Sequence, residues 1–204
     1  MITIIDYGLG NIRAFVNVYE RLNVETKIAR NSGDLRGASK IILPGVGAFD
    51  HAMTQLNRSG MRDELEKLIF VKKIPVIGIC VGMQMLAKSS DEGVIPGLGW
   101  IDGVVKKFDA SLLKSKTRLP HMGWNTINPM SGNKLLSQFS NEARFYFLHS
   151  YYFHCNNSGD SIAITEYGVR FSSAVNYDNI YGVQFHPEKS HANGIQLLKN
   201  FAEI

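Results

Sequence analysis

Pro75-Val76-Ile77-Gly78-Ile79-Cys80-Val81-Gly82-Met83 is an apolar run that ends on a Gly-x-Cys-x-Gly pattern. A continuous Val/Ile run of this length reads as a strand buried on both faces, the kind found inside a parallel sheet covered by helices. Met83, Met85, Leu86 and Ala87 then read as a helix leaving the strand. Strand, sharp turn and helix follow one another, so the first half of the chain is expected to be doubly wound α/β.

Upstream, the apolar run at residues 2–5 is closed by Asp6-Tyr7-Gly8-Leu9-Gly10, after which Ile12, Phe15, Val16, Tyr19 and Leu22 recur at helical spacing. Residues 24–29 alternate like a second strand. Residues 40–43 form a third, closed by Pro44-Gly45-Val46-Gly47 before a helical stretch through Leu56. A further helix is predicted over residues 61–71, with Leu65, Leu68 and Ile69 on one face. Beyond Gly97 the texture changes to short strands at residues 100–108, 122–127, 144–153, 161–166, 174–177 and 180–185, whose turn residues suggest antiparallel hairpins. A closing helix over residues 191–201 has Ser190 as its expected N-cap and Ile195, Leu198 and Phe201 as its core stripe. The expected architecture is a mixed sheet flanked by helices, with antiparallel strands in the C-terminal half. No linker or repeat divides the chain, so residues 1–204 read as one domain.

The chain has 204 residues, enough to bury a substantial core. Its 22 Lys and Arg against 18 Asp and Glu give +4, but the basic groups at Lys72-Lys73, Lys106-Lys107 and residues 114–118 are scattered. They form no stripe interleaved with aromatics, so no nucleic-acid partner is expected. Two cysteines, Cys80 and Cys155, make neither a disulfide framework nor a C-x-x-C zinc pair. There is no basic leader followed by an apolar segment, and no apolar run approaches the roughly 20 residues of a membrane span. A cytoplasmic protein without a membrane segment is the expectation.

The chemistry gathers at two places. Cys80 sits where a strand turns into a helix, the context in which an elbow presents a nucleophile, and Gly78 and Gly82 let neighbouring backbones come close. The start of a helix offers free amides and a positive dipole end to an anionic sulfur. An isolated cysteine is more often a small buried hydrophobe, which is the reading for Cys155. The second place is Gly182-Val183-Gln184-Phe185-His186-Pro187-Glu188, an apolar strand stopped by proline. Residues two apart in extended chain point the same way, so Glu188 can reach the His186 imidazole and orient it as a proton carrier. A lone His or Glu would be unremarkable, but elbow and His-x-Glu are complementary parts. His51, His121, His154 and His191 show no ligand spacing, and no metal or cofactor is expected. His149 lies on a strand whose end could line the pocket. Gly8-Leu9-Gly10 suggests a dinucleotide loop, but Arg13 stands where the third glycine is needed.

With Pro44-Gly45-Val46-Gly47, Gly78-Ile79-Cys80-Val81-Gly82-Met83-Gln84 and Gln184-Phe185-His186-Pro187-Glu188 in this order, the sequence resembles the class I glutamine amidotransferases along nearly its whole length. Asp6-Tyr7-Gly8-Leu9-Gly10-Asn11, Pro120-His121-Met122-Gly123-Trp124-Asn125 and Lys189-Ser190 look like the glutaminase branch that serves imidazole glycerol phosphate synthase. The resemblance implies catalysis by Cys80, His186 and Glu188, an oxyanion held by Val46, Gly47 and Val81, and glutamine bound by Gly47, Gln84 and Ser150. It also implies a heterodimer with a (β/α)8-barrel cyclase or synthase subunit, meeting it near Asn11, Trp124, Tyr146 and Lys189. Ammonia supply for amidine formation on a bacterial surface sugar is the alternative, since Trp100 and Asp102 depart from the usual wording of the histidine branch. A stand-alone γ-glutamyl thiol hydrolase is the other.

Overall fold

The computed structural model describes residues 1–112 and 118–204; of the basic group at 114–118, all but Arg118 lie outside them. In chain order the strands are β1 (Ile2–Ile5), β2 (Thr26–Ala29), β3 (Ile41–Gly45), β4 (Val76–Cys80), β5 (Ser89–Ser90), β6 (Gly103–Lys107), β7 (His121–Thr126), β8 (Asn128–Pro129), β9 (Arg144–His149), β10 (Tyr151–Cys155), β11 (Ser161–Tyr167), β12 (Val169–Tyr177) and β13 (Ile180–Val183). The helices are α1 (Ile12–Arg21), α2 (Phe49–Arg58), α3 (Arg62–Glu66), α4 (Val81–Gln84) and α5 (His191–Glu203).

The main sheet runs β2-β1-β3-β4-β13-β12-β10-β6-β5. Its β2 to β13 half is parallel, as the unbroken apolar runs require, and β4 is buried at every residue. From β13 onward the neighbours β12, β10 and β6 are antiparallel, and β11 folds onto β12. A separate two-stranded sheet pairs β7 with β9. Helix α1 turns Phe15, Val16, Val18 and Tyr19 inward, and the Tyr19 hydroxyl donates to the Leu198 carbonyl at 3.1 Å, tying it to α5. No helix among the described residues is long and apolar enough to cross a membrane.

Four local expectations change. The helix leaving Cys80 ends at Gln84, because the carbonyls of Met85 and Ala87 accept N–H groups from Leu98 and Gly99 instead of continuing a helical ladder. Gly97 makes that approach possible, since a Cβ there would lie 2.0 Å from the Ala87 oxygen. The strand expected over residues 144–153 is two strands that part at Ser150 and enter different sheets. The helix expected over residues 61–71 is α only through Glu66 and continues as a π-turn, Lys67–Val71. Ser190 does not cap α5 with its side chain; its hydroxyl bonds to β9 and to His186 instead.

Candidate active site

In open parallel sheets, sites form beyond the carboxyl ends of the strands. Here β3 and β4 end side by side, with Gly45 opposite Cys80, while β13 places Val183 opposite Ile79 and so brings Gln184 alongside Cys80. Cys80 holds φ 55° and ψ −113°, a left-handed conformation that costs a non-glycine residue about 1–3 kcal/mol and persists where its surroundings impose it. The surroundings are glycines. A Cβ on Gly82 would lie 2.0 Å from the Leu43 oxygen, one on Gly78 2.5 Å from the Gly82 oxygen, and one on Gly45 2.4 Å from the Gly82 nitrogen. The elbow is thus pressed against the end of β3. Because α4 has only four residues, its contribution at the sulfur comes from local amides rather than a helix dipole.

The His186 ring donates from Nδ1 to Glu188 Oε1 at 2.9 Å, and both side chains are almost wholly buried. This leaves Nε2 for the Cys80 sulfur, which lines the same cavity. Burial pulls the imidazole pKa down, but the hydrogen bonds and charges of Cys80 and Glu188 outweigh it and hold the ring at about 10. The segment is clamped to β9. The His186 N–H donates to the Tyr146 carbonyl at 2.8 Å, and the Ser190 hydroxyl accepts from the Tyr146 N–H at 2.9 Å while donating to the His186 carbonyl at 2.6 Å.

These groups open on a cavity of about 310 Å³. Of the residues singled out in the sequence, Val46, Gly47, Cys80, Val81, Gln84, Ser150, His186 and Lys189 line it, while Glu188 stands behind His186. Val46 is half exposed, and Gly47 at φ +87° has open space where a Cβ would stand, so the tip of this segment is uncrowded. Glu92 also lines the cavity and was not anticipated. It sits in the turn Asp91-Glu92-Gly93, which carries no periodic signal, and its Oε2 accepts the Phe49 N–H at 2.9 Å.

His149 lines the same cavity with the opposite character. Its Nδ1–H donates to the Tyr151 carbonyl at 2.7 Å, so its Nε2 must accept from His121 Nδ1–H at 2.9 Å; His121 Nε2 in turn accepts from Asn125 at 3.2 Å. Every ring nitrogen is satisfied with both imidazoles neutral. Burial pushes His121 down to about 4, and burial together with His121 pushes His149 down to about 3. Cys155 lies in β10, half buried, and burial pushes its thiol up to about 11.

Three of the four expected contact residues form one surface. Trp124 meets Tyr146 edge-on at 6.2 Å and stacks on His191 at 5.1 Å, while Lys189 Nζ lies 5.7 Å from the Tyr146 ring centroid. Asn11 is exposed at the start of α1 and makes no side-chain capping bond.

The family model "Glutamine amidotransferase class-I" matches residues 3–204. The imidazole glycerol phosphate synthase subunit HisH of Bdellovibrio bacteriovorus is 58% identical over 204 residues, and that of Leptospira interrogans 52%, each alignment covering 100% of both chains. The subunit HisH 2 of Pseudomonas aeruginosa is 45% identical with the same coverage. Among solved structures, a glutamine amidotransferase superposes with TM-score 0.75 at 20% identity, covering 99% of this chain and 97% of its own. PurLQS from Thermotoga maritima gives 0.74 at 16%, with the same coverage. At these identities the structures speak for the fold alone.

Proposed function

Because the chain belongs to the class I glutamine amidotransferases, we propose that it is the glutaminase subunit of an imidazole glycerol phosphate synthase, hydrolysing glutamine to glutamate and delivering the ammonia to a (β/α)8-barrel cyclase subunit. The observation that carries the chemistry is the strained Cys80 elbow facing a buried His186–Glu188 pair across one cavity. In this reading residues 1–204 act as one cytoplasmic domain that forms a heterodimer, and the relatives' names favour the histidine pathway over surface-sugar amidation.

The sulfur attacks the carboxamide carbon, and the tetrahedral oxyanion is met by amides of Val81 and of the Val46 to Gly47 segment. His186 holds its proton at neutral pH and passes it to the departing nitrogen, so ammonia leaves and a thioester remains. Acylation removes the sulfur's charge, and with it part of what raised His186. Burial then pulls the ring down, and it becomes able to take a proton from the water that hydrolyses the thioester. Gly47, Gln84 and Ser150 hold the substrate, and the Glu92 carboxylate suits its α-ammonium. Asn11, Trp124, Tyr146 and Lys189 meet the barrel. Protonated ammonia is no nucleophile, so direct transfer within a complex serves the acceptor reaction.

The test is glutamate release by the chain alone, with a histidine-pathway cyclase, and with a surface-sugar amidotransferase, each with and without acceptor. Stimulation by the cyclase, lost in Cys80→Ala, is expected. Equal rates in every mixture would favour a stand-alone hydrolase, and full activity in Cys80→Ala would remove the nucleophile assignment.

A further inference from the structure

We propose that Gln184 is a positioning residue whose side-chain N–H holds the Cys80 sulfur, with its orientation dictated through Gln84 by the Tyr151 carbonyl. This rests on Cys80 being the nucleophile. A backbone carbonyl can only accept, and that of Tyr151 takes two donors, His149 Nδ1 at 2.7 Å and Gln84 Nε2 at 3.0 Å. The Gln84 amide therefore cannot be turned round. Its second N–H falls on Gln184 Oε1 at 2.9 Å, which fixes the second amide in turn and aims Gln184 Nε2 at Cys80 Sγ, 3.8 Å away. Reversing Gln184 would set two donors against each other at 2.9 Å and put a carbonyl oxygen on the sulfur.

The placement follows from the fold. Register puts Gln184 beside Cys80, its N–H pairs with the Ser173 carbonyl at 2.9 Å, and the residue is fully buried, so no water competes for the sulfur on that side. Gln84 is equally enclosed. The sulfur also meets the Leu148 carbonyl at 3.9 Å, and His186 lines the same cavity. That carbonyl can accept only an S–H and so favours the thiol, whereas an amide N–H favours the anion. Gln184 opposes Leu148, and because it presents no acceptor at the sulfur it leaves His186 as the group that takes the thiol's proton.

The test is iodoacetamide alkylation of Cys80 without substrate, followed by peptide mapping, in the wild type, Gln184→Met and Gln84→Met. Loss of a hydrogen bond to a charged group should slow Cys80 alkylation at neutral pH by about tenfold in Gln184→Met, with rates near pH 10 within about twofold of wild type. Gln84→Met, which keeps the donor but frees its orientation, should give a smaller slowing with the same pH signature. In steady state kcat for glutaminase should fall in Gln184→Met with KM little changed. Should Gln184→Met fail to fold, Gln184→Asn, whose amide falls one methylene short, reads the same quantity. A folded Gln184 variant that alkylates at the wild-type rate across the pH range would overturn the proposal. A normal Gln184 effect with full turnover in Cys80→Ala would instead sink the nucleophile assignment, so the two failures are separable.

Discussion

Substituting Gly82 by alanine tests whether the elbow works by contact. The added Cβ would lie 2.0 Å from the Leu43 oxygen, 3.0 Å from its carbonyl carbon and 3.2 Å from the Pro44 carbonyl carbon. All three are backbone atoms and cannot swing aside, so β3 and α4 must separate by at least about 1 Å before the oxygen contact becomes tolerable. Little slack exists on the β3 side, because the buried Tyr7 hydroxyl donates to the Pro44 carbonyl at 2.6 Å and Gly45 is in ladder register with Cys80. Overpacking of this kind typically costs about 1–3 kcal/mol of stability. The same displacement moves the Val81 amide relative to the Val46 to Gly47 segment, and a misplacement of about 1 Å in a reacting constellation can lower turnover by about 100-fold. Gly60→Ala, away from the cavity, is the control, with an unfavourable φ of +68° but nothing within 4 Å, so it should lose only about 1 kcal/mol. Urea unfolding and glutamate release with the partner present measure both quantities. Stability within about 0.5 kcal/mol of wild type and unchanged kcat in Gly82→Ala would refute the close-contact argument.

Two further outcomes are expected. The His121–His149 pair is neutral in the fold, with pKa values lowered to about 4 and about 3, whereas the unfolded chain protonates near 6.5. The unfolded state therefore binds more protons between those values, and stability should fall as pH drops from about 6.5 toward 4, by on the order of 3 kcal/mol for His121 alone; a flat urea midpoint across that window would contradict the assignment. His186, raised to about 10, acts in the opposite sense: its contribution is fully present only below the unfolded value near 6.5 and is lost as pH rises toward 10, so it flattens the top of this window and adds no slope in its acid half. Ser190→Ala removes the acceptor of the partly buried Tyr146 N–H and the donor to the His186 carbonyl and should cost about 1 kcal/mol while lowering glutaminase turnover, since it loosens the segment that carries His186; stability lost without any change in turnover would confine Ser190 to the scaffold.

The parallel half of the fold was legible because its strands are continuous apolar runs closed by glycine turns, and β4 lies within one residue of where residues 75–79 place it. The pairing of His186 with Glu188 was legible as a local motif, but the route differs from the extended chain expected, since Pro187–Lys189 forms a 3-10 turn that carries Glu188 back to the imidazole. What failed was everything decided by partners distant in sequence. The shortness of α4 follows from bonds given up to Leu98 and Gly99, the break at Ser150 from two sheets competing for one strand, and the tether at Ser190 from the proximity of β9. Glu92 and Gln184 were missed because a turn carboxylate and a strand amide have no local signature. Only the register of β13 on β4 sets Gln184 against the sulfur.

The cavity also shows how one environment keeps two imidazoles in opposite states. His186 and His149 both line it, and both are buried, a condition that by itself pulls each toward neutrality. His186 escapes because the Cys80 sulfur and the buried Glu188 carboxylate bonded to its Nδ1 both favour its charged form. His149 does not, since its partners are a backbone carbonyl and a second imidazole whose charge would repel its own. The neutral wall has a consequence for the reaction. A charged His149 would attract the carboxylates of the substrate and of Glu92 into competing pairs, and would further oppose the proton on His186. In the proposed reaction an uncharged His149 leaves His186 as the pocket's proton carrier, and the Asn125–His121–His149 chain that keeps His149 neutral ends on the same Tyr151 carbonyl that Gln84 bonds.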